Sequence, residues 1–485
     1  MRASGGLMYY RPVMGLIAML ALAGCEMAPL YAPPVVALPS QFTDTGGASG
    51  GVVAPRGDWW RNFSDARLTA LEADVDAANP DLAAAYAAYQ DSRARAEQAE
   101  AGLFPEVDFG GGLSANKQSA DRPLRSKTQP AFFGANQAFA GVAGFELDVW
   151  GRVADIVKSA RANAEASGYA FADTRLLLHA ELARDYVALR SLDAQAKLYA
   201  DTIKLYQSAL DLTQQRLNAK IAPPIDAERA KTQLEAVKAQ ASDLALRRTA
   251  LTDAIATLAG KSAAGFRLAV EPAPMVFPRR PRVAPGELLR RRPDVAAAER
   301  EVAAANSLIG AAIANKYPRF TIGLQTGAQD TSLRLLDPIN AFYSIGPAMT
   351  VPLFDAGLRD AEIKQARADA ELAAQRYRSR VLNAVREVQD YVSALRWLAD
   401  EAQQSDAAAA AARRALDMSM ALYRDGAASY LDVVTAQDSA LVTQRVAIGV
   451  RARELDSYVG LLLALGGGWS APDVGKIDTV AAAVP

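Results

Sequence analysis

The chain has 485 residues and a formal net charge of −1, and 51% of its residues are hydrophobic although only 7% are aromatic. A charge so close to zero gives no general affinity for nucleic acid. One histidine and one cysteine exclude a Cys/His metal cluster and a network of structural disulfides. The length could hold about two or three ordinary domains. No linker rich in proline, glycine and serine divides the body of the chain, so we expect a single elongated architecture.

The first 25 residues have the pattern of a secretory signal. Arg2 and Arg11 precede an apolar segment, residues 12–23, that is too short to span a bilayer. The tetrapeptide LAGC at residues 22–25 then resembles a bacterial lipobox, and the only cysteine of the chain, Cys25, lies at its cleavage point. The alternative is an ordinary signal peptide followed by an incidental cysteine.

We therefore predict a lipoprotein signal peptide over residues 1–24, a lipidated Cys25, and a tether over residues 25–57. Each buried methylene of an acyl chain contributes roughly 0.8 kcal/mol to membrane attachment. Glu26 follows the cysteine, whereas an aspartate at that place commonly retains lipoproteins at the inner membrane. The expected location is the bacterial outer membrane.

The first half of the folded part combines two strands with long helices. Alternation of apolar and polar residues predicts two strands, over residues 105–116 and 137–150, each with one apolar and one polar face. Apolar residues then recur in steps of three and four, which predicts helices over residues 152–219 and 226–260. With the helical segment that precedes the strands, these elements form a first repeat over residues 58–260.

The same order of elements recurs in the second half, so the chain is a duplication. Pro80 matches Pro293 at an offset of 213 residues, and Gly151 matches Gly357 at an offset of 206. The offset falls by seven because the loop between the two strands is shorter in the second half. The elements of the predicted second repeat, residues 293–465, are strands over 319–329 and 342–355 and helices over 357–424 and 431–465.

Two further segments complete the predicted organisation. Residues 261–292 are rich in proline and arginine and connect the two repeats, and residues 466–485 form a flexible tail. Inside the fourth predicted strand, Pro347 lacks a backbone donor, which predicts a local bulge or an unpaired neighbour.

The long helices carry a heptad seam of apolar residues. Steps of four and three from Leu178 to Leu217 give twelve positions, of which ten are apolar, and a copy with smaller residues runs from Ala384 to Tyr423. This pattern predicts a left-handed coiled coil. At about 1.5 Å per residue, the first long helix would extend roughly 100 Å, far more than a globular core needs.

Four strands cannot close a barrel, and an open sheet edge cannot face lipid. Copies must therefore combine: two chains would give eight strands with a filled interior, three would give twelve with room for water, and sixteen is possible. The polar face of the predicted strands favours a water-filled lumen. Its members are Glu146, Asp148, Thr321 and Gln325.

Several sequence motifs resemble those of one family when taken together. They are Phe104-Pro105, Tyr317-Pro318, ELDVWGR at residues 146–152, RRPD at residues 291–294 and VPLFDAG at residues 351–357. With Cys25, they resemble the TolC-type outer-membrane factors, in the lipoprotein branch that includes OprM and NodT. The resemblance covers about residues 25–465.

The resemblance implies a mainly α chain with a membrane β-barrel. Each chain would supply a duplicated strand-helix hairpin repeat, so that three copies complete a twelve-strand barrel in the outer membrane, continued by a long α-helical coiled-coil tunnel through the periplasm. The homotrimer would be a passive exit duct for drugs or other small molecules, without catalytic residues, cofactor or metal. Its partners would be a periplasmic adaptor, an inner-membrane pump, often of the resistance-nodulation-division class, and outer-membrane lipid.

Family members carry a Tyr-x-x-Gly turn at the periplasmic tip, matched here by Tyr423 and Gly426. The resemblance implies that Gly426 and Ser429 belong to the tip that docks on the adaptor. We also expect the tip at residues 218–226 to lie at the periplasmic end, although ordinary turn geometry explains most of its sequence.

The resemblance also implies a gate after that turn, formed by Leu431 and Asp432. Thr435 stands where many members have a second acidic residue, so we predict one acidic ring rather than two. The alternative is that Asp432 merely complements the helix dipole in the first turn.

Other functions remain open on the residues alone. Within the class of ducts, the alternative is an exit channel for protein secretion. A periplasmic coiled-coil adaptor or scaffold lipoprotein would share the lipobox and heptads, but not the paired amphipathic strands or the duplication. An enzyme is disfavoured because the only histidine, His179, is expected to be a packed or solvated helix residue.

Overall fold

A computed structural model describes residues 27–38, 42, 57–117, 119, 121, 133–273, 275–278, 292–330, 334, 337–467 and 469. Cys25 and the predicted signal peptide lie outside these residues. The helices described are α1 (Ala66–Ala78), α2 (Pro80–Ala101), α3 (Arg152–Asn218), α4 (Pro224–Leu258), α5 (Pro293–Ala314), α6 (Leu358–Arg424) and α7 (Tyr430–Ala464). The strands are β1 (Glu106–Lys117), β2 (Phe133–Leu147), β3 (Arg319–Asp330) and β4 (Ala341–Thr350), with short 3₁₀ helices at Trp59–Phe63 and Pro338–Asn340.

The duplication is visible in the lengths of the elements. α2 and α5 each have 22 residues, β1 and β3 each have 12, α3 and α6 each have 67, and α4 and α7 each have 35. The predicted helix bounds lie within two residues of the observed ones. Of the corresponding elements, only β2 and β4 differ in length, with 15 and 10 residues, and each follows the loop between the two strands of its half.

The four described strands form one antiparallel sheet in the order β1-β2-β3-β4. The register pairs Phe109 with Gly141, Phe145 with Ile322, and Leu324 with Ile345. Apolar residues of all four strands consequently share one face. Mostly small and polar residues share the other, with Val142 and Phe342 as apolar exceptions, because neighbours directly opposite in a sheet lie on the same side.

Two strand ends differ from the predicted ones. β2 runs from Phe133 to Leu147 rather than over 137–150, because Lys117 of β1 still pairs with Phe133, and because the Val149 N–H turns back to the Leu147 carbonyl. β4 ends at Thr350 rather than at residue 355, because Thr350 pairs with the first residue of β3 and no described strand continues beyond that point to pair with it.

Pro347 causes no bulge in β4. The register from Arg319↔Thr350 to Ala328↔Ala341 is continuous through the pair of Ile322 and Pro347. β4 lies at an edge of the described sheet, where a residue without an N–H is tolerated. Of the two predicted outcomes, the bulge does not occur, and an unpaired backbone group beside Pro347 stays a prediction.

Each second strand enters a long helix through a tight turn. Gly151 and Gly357 have φ values of +74° and +89°, a region that favours glycine. At the first junction, the Arg152 guanidinium donates hydrogen bonds of 2.9 and 2.7 Å to the Glu146 carboxylate. The end of β2 is thereby fixed to the first turn of α3.

The heptad seam is buried or half-buried along its whole predicted length. None of its positions from Leu178 to Leu217, or from Ala384 to Tyr423, is fully exposed. Thr213, one of the two polar members of the first seam, is buried and donates its hydroxyl to the Ala209 carbonyl at 2.7 Å. An internal bond of this kind satisfies a buried polar group without a partner on another helix.

By compactness the chain divides into two units. The strand unit contains the sheet, with described residues 27–34, Gln90–Ala166 and Ala298–Tyr377. The helix unit contains the rest of the long helices, and its largest apolar cluster is built around Trp59, Leu182 and Tyr458. Both units draw segments from both predicted repeats, and the domain boundaries drawn from the sequence remain a prediction.

Among the described residues, no helix has a stretch long and apolar enough to cross a membrane.

Candidate gate and docking tips

Two helical hairpins of the helix unit end in tips of closely similar backbone geometry. In the first, α3 ends at Asn218, and the Ile221 N–H bonds the Arg216 carbonyl at 2.8 Å while Lys220 adopts a φ of +63°. This is the Schellman arrangement that commonly ends helices, although glycine usually holds the left-handed position. Pro223 then precedes α4 and supplies no side-chain cap.

The second tip repeats this turn and has glycine, the residue type that the turn favours, at the left-handed position. The Ala427 N–H bonds the Leu422 carbonyl at 2.8 Å, and Gly426 has a φ of +80°. Gly426 therefore occupies the place that Lys220 holds in the first tip, at the offset of 206 residues. The sequence predicted Gly426 as part of a docking surface, and its backbone conformation gives it a separate structural reason to be glycine.

A capping box begins α7 and involves Ser429 and Asp432. The Asp432 carboxylate accepts hydrogen bonds from the Ser429 hydroxyl at 2.7 Å and from the Ser429 backbone N–H at 3.0 Å. The Ser429 hydroxyl holds the pKa of Asp432 below its usual value. Asp432 therefore also has a structural role as a cap at the start of α7, beside the interaction with the helix dipole that is the alternative to gating.

The equivalent acid in the first tip has a different environment. Asp226 stands 206 residues before Asp432, yet it is buried and pairs with Arg229 at 3.6 Å. Asp432 is exposed, so only the second tip offers a solvent-facing carboxylate at this position.

The other predicted gate residues lie beside Asp432 on the first turns of α7. Leu431 is 51% exposed. The Thr435 hydroxyl donates to the Leu431 carbonyl at 3.0 Å, so it is already used within the helix. Leu431, Asp432 and Thr435 thus form an exposed patch with a single charge.

The two tips are joined by a residue that the sequence did not single out. The Arg216 guanidinium of α3 donates to the Tyr423 carbonyl and lies over the Tyr423 ring, 4.7 Å from its centroid. Beneath it, Tyr423 packs edge-on against Tyr430 with their centroids 5.2 Å apart. The sequence offered one indication of this role, because Arg216 lies in the last turn of α3 and basic residues near a helix C-terminus bind free carbonyls.

A second candidate site lies in the strand unit, where residues 27–31 pack against α5. The Tyr31 hydroxyl bonds the Glu299 carboxylate and its carbonyl, and the Asn306 amide bonds the Pro29 carbonyl at 2.8 Å. A Cβ added at Gly310 would lie 2.6 Å from the Ala28 nitrogen. We call residues 27–31 the strap, and Gly310 is the position that lets it approach α5.

The described residues contain no group of three or more His, Cys, Asp or Glu side chains that could hold a metal ion. The predicted gate and tip residues are together in one hairpin end. Their roles in gating and docking, like the lipidation of Cys25, remain predictions.

Comparison with known proteins places this geometry in a family. The profile of the outer membrane efflux protein family matches residues 73–261 and 284–467. The chain is 27% identical over 459 residues to the cation efflux system protein CusC of Escherichia coli O6:H1, covering 93% of this chain and 97% of CusC. It is 29% identical over 436 residues to the pyoverdine export outer membrane protein OpmQ of Pseudomonas putida, covering 87% and 91%.

Solved structures agree with this assignment. The outer-membrane channel OprN superposes with a TM-score of 0.84 at 27% identity, covering 92% of this chain and all of the OprN chain. The Campylobacter jejuni CmeC channel superposes with a TM-score of 0.88 over 95% of this chain and 99% of its own, and at 18% identity it supports the fold alone. The chain belongs to the outer membrane efflux protein family.

Proposed function

We propose that three copies of this chain form the outer-membrane exit duct of a tripartite efflux system, docked on a periplasmic adaptor and an inner-membrane pump of the resistance-nodulation-division type. As a member of its family, the chain is an outer membrane efflux channel and not an enzyme. The observation that carries the trimeric proposal is the sheet, which separates an apolar face from a polar one and leaves β1 and β4 as its edges.

An edge strand presents unpaired backbone groups, and lipid offers them no hydrogen bonds. Pairing β4 of one copy with β1 of the next removes every edge when the ring closes. Two copies would leave an interior filled by side chains, whereas three give twelve strands and a lumen. The polar face of the sheet, with Glu146, Thr321 and Gln325, would line that lumen.

The apolar face would meet lipid. Large side chains on it are exposed in the single chain, including Phe109 at 78% and Tyr343 at 80%. A contiguous apolar surface of this kind marks a membrane or protein contact. Aromatic residues among these side chains suit a barrel that crosses a bilayer.

Lipid attachment at Cys25 is part of the proposal, and the strap supports it. Ala28 is held against Gly310, four residues before the end of α5, and β3 begins five residues beyond that end. Cys25 is three residues from Ala28, so its reach is at most about 11 Å. An acyl chain there would lie near the strand end of the helices, which is where the membrane would begin.

Transported molecules are proposed only as a class. CusC is named for cation efflux and OpmQ for pyoverdine export, so relatives of similar identity differ in what they export. We infer that this chain exports small molecules selected by its pump. The gate at Leu431, Asp432 and Thr435 and the docking tip at Gly426 and Ser429 belong to the same proposal.

Neighbouring residues on opposite faces of β4 test the duct. Ile345 lies on the apolar face and Ser344 on the polar face. An arginine facing lipid at mid-bilayer costs about 2–4 kcal/mol, whereas one in the lumen is tolerated. In a deletion strain, the wild type and Ser344→Arg should restore low accumulation of a fluorescent efflux dye, while Ile345→Arg should fail and yield little outer-membrane trimer.

Two results would overturn the proposal. The first is a deletion strain whose accumulation of dyes, metal cations and antibiotics is unchanged across a broad panel. The second is Ile345→Arg that assembles and complements as well as Ser344→Arg, because the apolar face would then not contact lipid.

A further inference from the structure

The only histidine of the chain lies in a buried ionic cluster of the helix unit. Nδ1 of His179, on α3, is 2.6 Å from a carboxylate oxygen of Glu72, and Nε2 is 3.0 Å from a carboxylate oxygen of Asp76. His179 and Glu72 are 1% and 0% exposed. Both acids belong to α1, so the ring joins α1 to α3.

Charged groups around the ring come from both helices and from the segment before α1. On α3, the Arg175 guanidinium binds the Asp76 carboxylate through two hydrogen bonds of 2.6 and 2.7 Å. Asp58, before the 3₁₀ helix, acts on Arg175 at longer range. With His179 protonated, the charges of Glu72, Asp76, Arg175 and His179 cancel.

A buried imidazole with a carboxylate on each nitrogen needs a proton on each side. A neutral ring has only one N–H, so the other nitrogen would turn its lone pair towards a carboxylate unless that acid carried the proton. The cluster can therefore hold an imidazolium between two carboxylates, or a neutral imidazole beside one protonated acid. Both states hold one more proton than a neutral imidazole between two carboxylates. Without that proton, one negative charge remains uncompensated in a buried site, which is costly.

The indole of Trp60 covers the ring. The two centroids are 4.4 Å apart and the planes differ by 22°, so the rings are stacked. An aromatic face attracts a cation, which favours the imidazolium over the neutral ring. Trp60 belongs to the 3₁₀ helix at Trp59–Phe63, so this contact also fixes the segment before α1.

We propose that His179 is a pH-dependent lock, which as an imidazolium holds residues 59–78 against α3 and which loosens them when it loses its proton as the pH rises. The lock is independent of the exit-duct proposal, because it concerns contacts within one chain. It adds a conformational response to a part of the molecule that contains neither the gate nor the docking tip.

The direction of the pH response follows from the pKa shifts of His179, Glu72 and Asp76. Burial alone would lower the pKa of His179, but the hydrogen bonds to Asp76 and Glu72 outweigh it and raise the pKa. A raised pKa stabilises the folded form below the unfolded value of about 6.5, and this stabilisation is lost as the pH rises through the folded pKa. Burial raises the pKa of Glu72 to about 7. The stability that depends on a protonated Glu72 is therefore also lost as the pH rises.

Asp76 acts in the opposite sense and at lower pH. Burial would raise its pKa, but the hydrogen bonds from Arg175 and His179 lower it instead. Its stabilisation is present above the usual carboxyl pKa and is lost as the pH falls through the lowered value. The lock is therefore closed in mildly acidic solution and opens as the pH rises through the raised pKa values of Glu72 and His179.

The single histidine makes the titration directly observable. We would label the purified full-length protein with ¹³C-histidine, using an affinity tag without histidine, and follow its one imidazole resonance from pH 5 to pH 10. We expect a midpoint clearly above the value of about 6.5 for free histidine. A midpoint at or below 6.5 would overturn the proposal without any variant.

Hydrogen exchange tests the mechanical consequence. After correction for intrinsic rates, protection of backbone amides in residues 59–78 should fall between pH 6 and pH 9, by a factor of about ten for each unit by which the measured midpoint of the imidazole exceeds 6.5. In His179→Gln, protection should be lower at pH 6 and should fall less between pH 6 and pH 9, because only Glu72 then titrates in this range. Asp91→Asn, which removes an exposed partner of Arg95, should behave as the wild type. Protection that is flat with pH in the wild type would rule the lock out.

Discussion

Arg216 of the first hairpin lies over the ring of Tyr423 of the second, with 4.7 Å between its guanidinium carbon and the ring centroid, and donates a hydrogen bond to the Tyr423 carbonyl. Tyr423 is buried, whereas the turn that follows it is exposed. One side chain therefore ties the end of α6 to the end of α3. A change that opens the second tip must break or stretch this contact.

The first prediction concerns that contact. Arg216→Ala should loosen the second tip, because both the hydrogen bond and the contact with the ring are lost. We expect faster hydrogen exchange in residues 419–430 and higher single-channel conductance in planar bilayers. Arg413→Ala, which removes an exposed pair with Asp417, is the matched control and should change neither. Equal behaviour of the two variants would mean that Arg216 does not restrain the tip.

Backbone strain in the first tip gives a prediction with a defined sign. Lys220 holds a φ of +63°, which costs a residue with a side chain roughly 1 kcal/mol more than glycine. Lys220→Gly should therefore raise the thermal unfolding midpoint. Lys204→Gly, in the exposed interior of α3, should lower it by a comparable free energy, because glycine is a poor helix former. A lower midpoint in Lys220→Gly would contradict the expected strain.

Much of this fold follows from local sequence patterns. The period of two and the heptad steps predicted the strands and long helices, and the duplication let each half check the other. The end of β4 was missed because Thr350 stops pairing where β3 begins, which depends on a distant partner. The same limit applies to His179, whose partner Glu72 is 107 residues away and follows no periodic pattern.

The candidate site was predictable to a similar degree. Gly426, Leu431 and Asp432 could be singled out as candidates because they match a family motif along a short stretch of sequence. Arg216 was not, since its contact with Tyr423 joins residues 207 apart. The capping box was foreseeable in part, because a serine three residues before an acid at a helix start is its usual sequence signature.

The lipid anchor has a chemical test and a geometric one. Cys25→Ser should abolish labelling by a radioactive or alkyne-bearing fatty acid, because the serine has no thiol to acylate. Some trimer should still fractionate with outer membranes, since a closed barrel buries far more apolar area than the acyl chains. Labelling that persists in Cys25→Ser would refute the anchor.

The strap provides the geometric test. Gly310→Val would place side-chain atoms where the Ala28 backbone lies, 2.6 Å from its nitrogen, so the strap should detach from α5. We expect faster hydrogen exchange in residues 27–34 while acylation of Cys25 is unchanged. Gly449→Val, at a glycine with open space around it, is the control. Unchanged exchange in Gly310→Val would show that the strap is not held there.

Docking can be separated from turn geometry at Gly426. Asparagine tolerates a positive φ better than other residues with side chains, so Gly426→Asn should keep the turn and retain adaptor crosslinking and efflux. Gly426→Trp adds bulk at the tip and should reduce both. If the two variants lost efflux equally while the trimer stayed intact, loss of the turn rather than of docking would be the cause.

The last prediction separates gating from capping at Asp432. Asparagine can still accept the Ser429 N–H, so Asp432→Asn removes the charge and keeps much of the capping box. Ser429→Ala does the reverse, since it removes the hydroxyl and leaves the carboxylate. If three copies of Asp432 surround a narrow lumen, their combined potential should favour cations and bind multivalent ones.

In planar bilayers, Asp432→Asn should therefore lower the preference for cations and relieve block by a trivalent cation added from the periplasmic side. Ser429→Ala should keep both properties while losing about 1 kcal/mol of helix stability. Block in the parent should itself be moderate, because Thr435 supplies no second acidic ring. If selectivity and block were unchanged in Asp432→Asn, the carboxylate would act only as a cap, and the gate would have to be sought elsewhere in the tunnel.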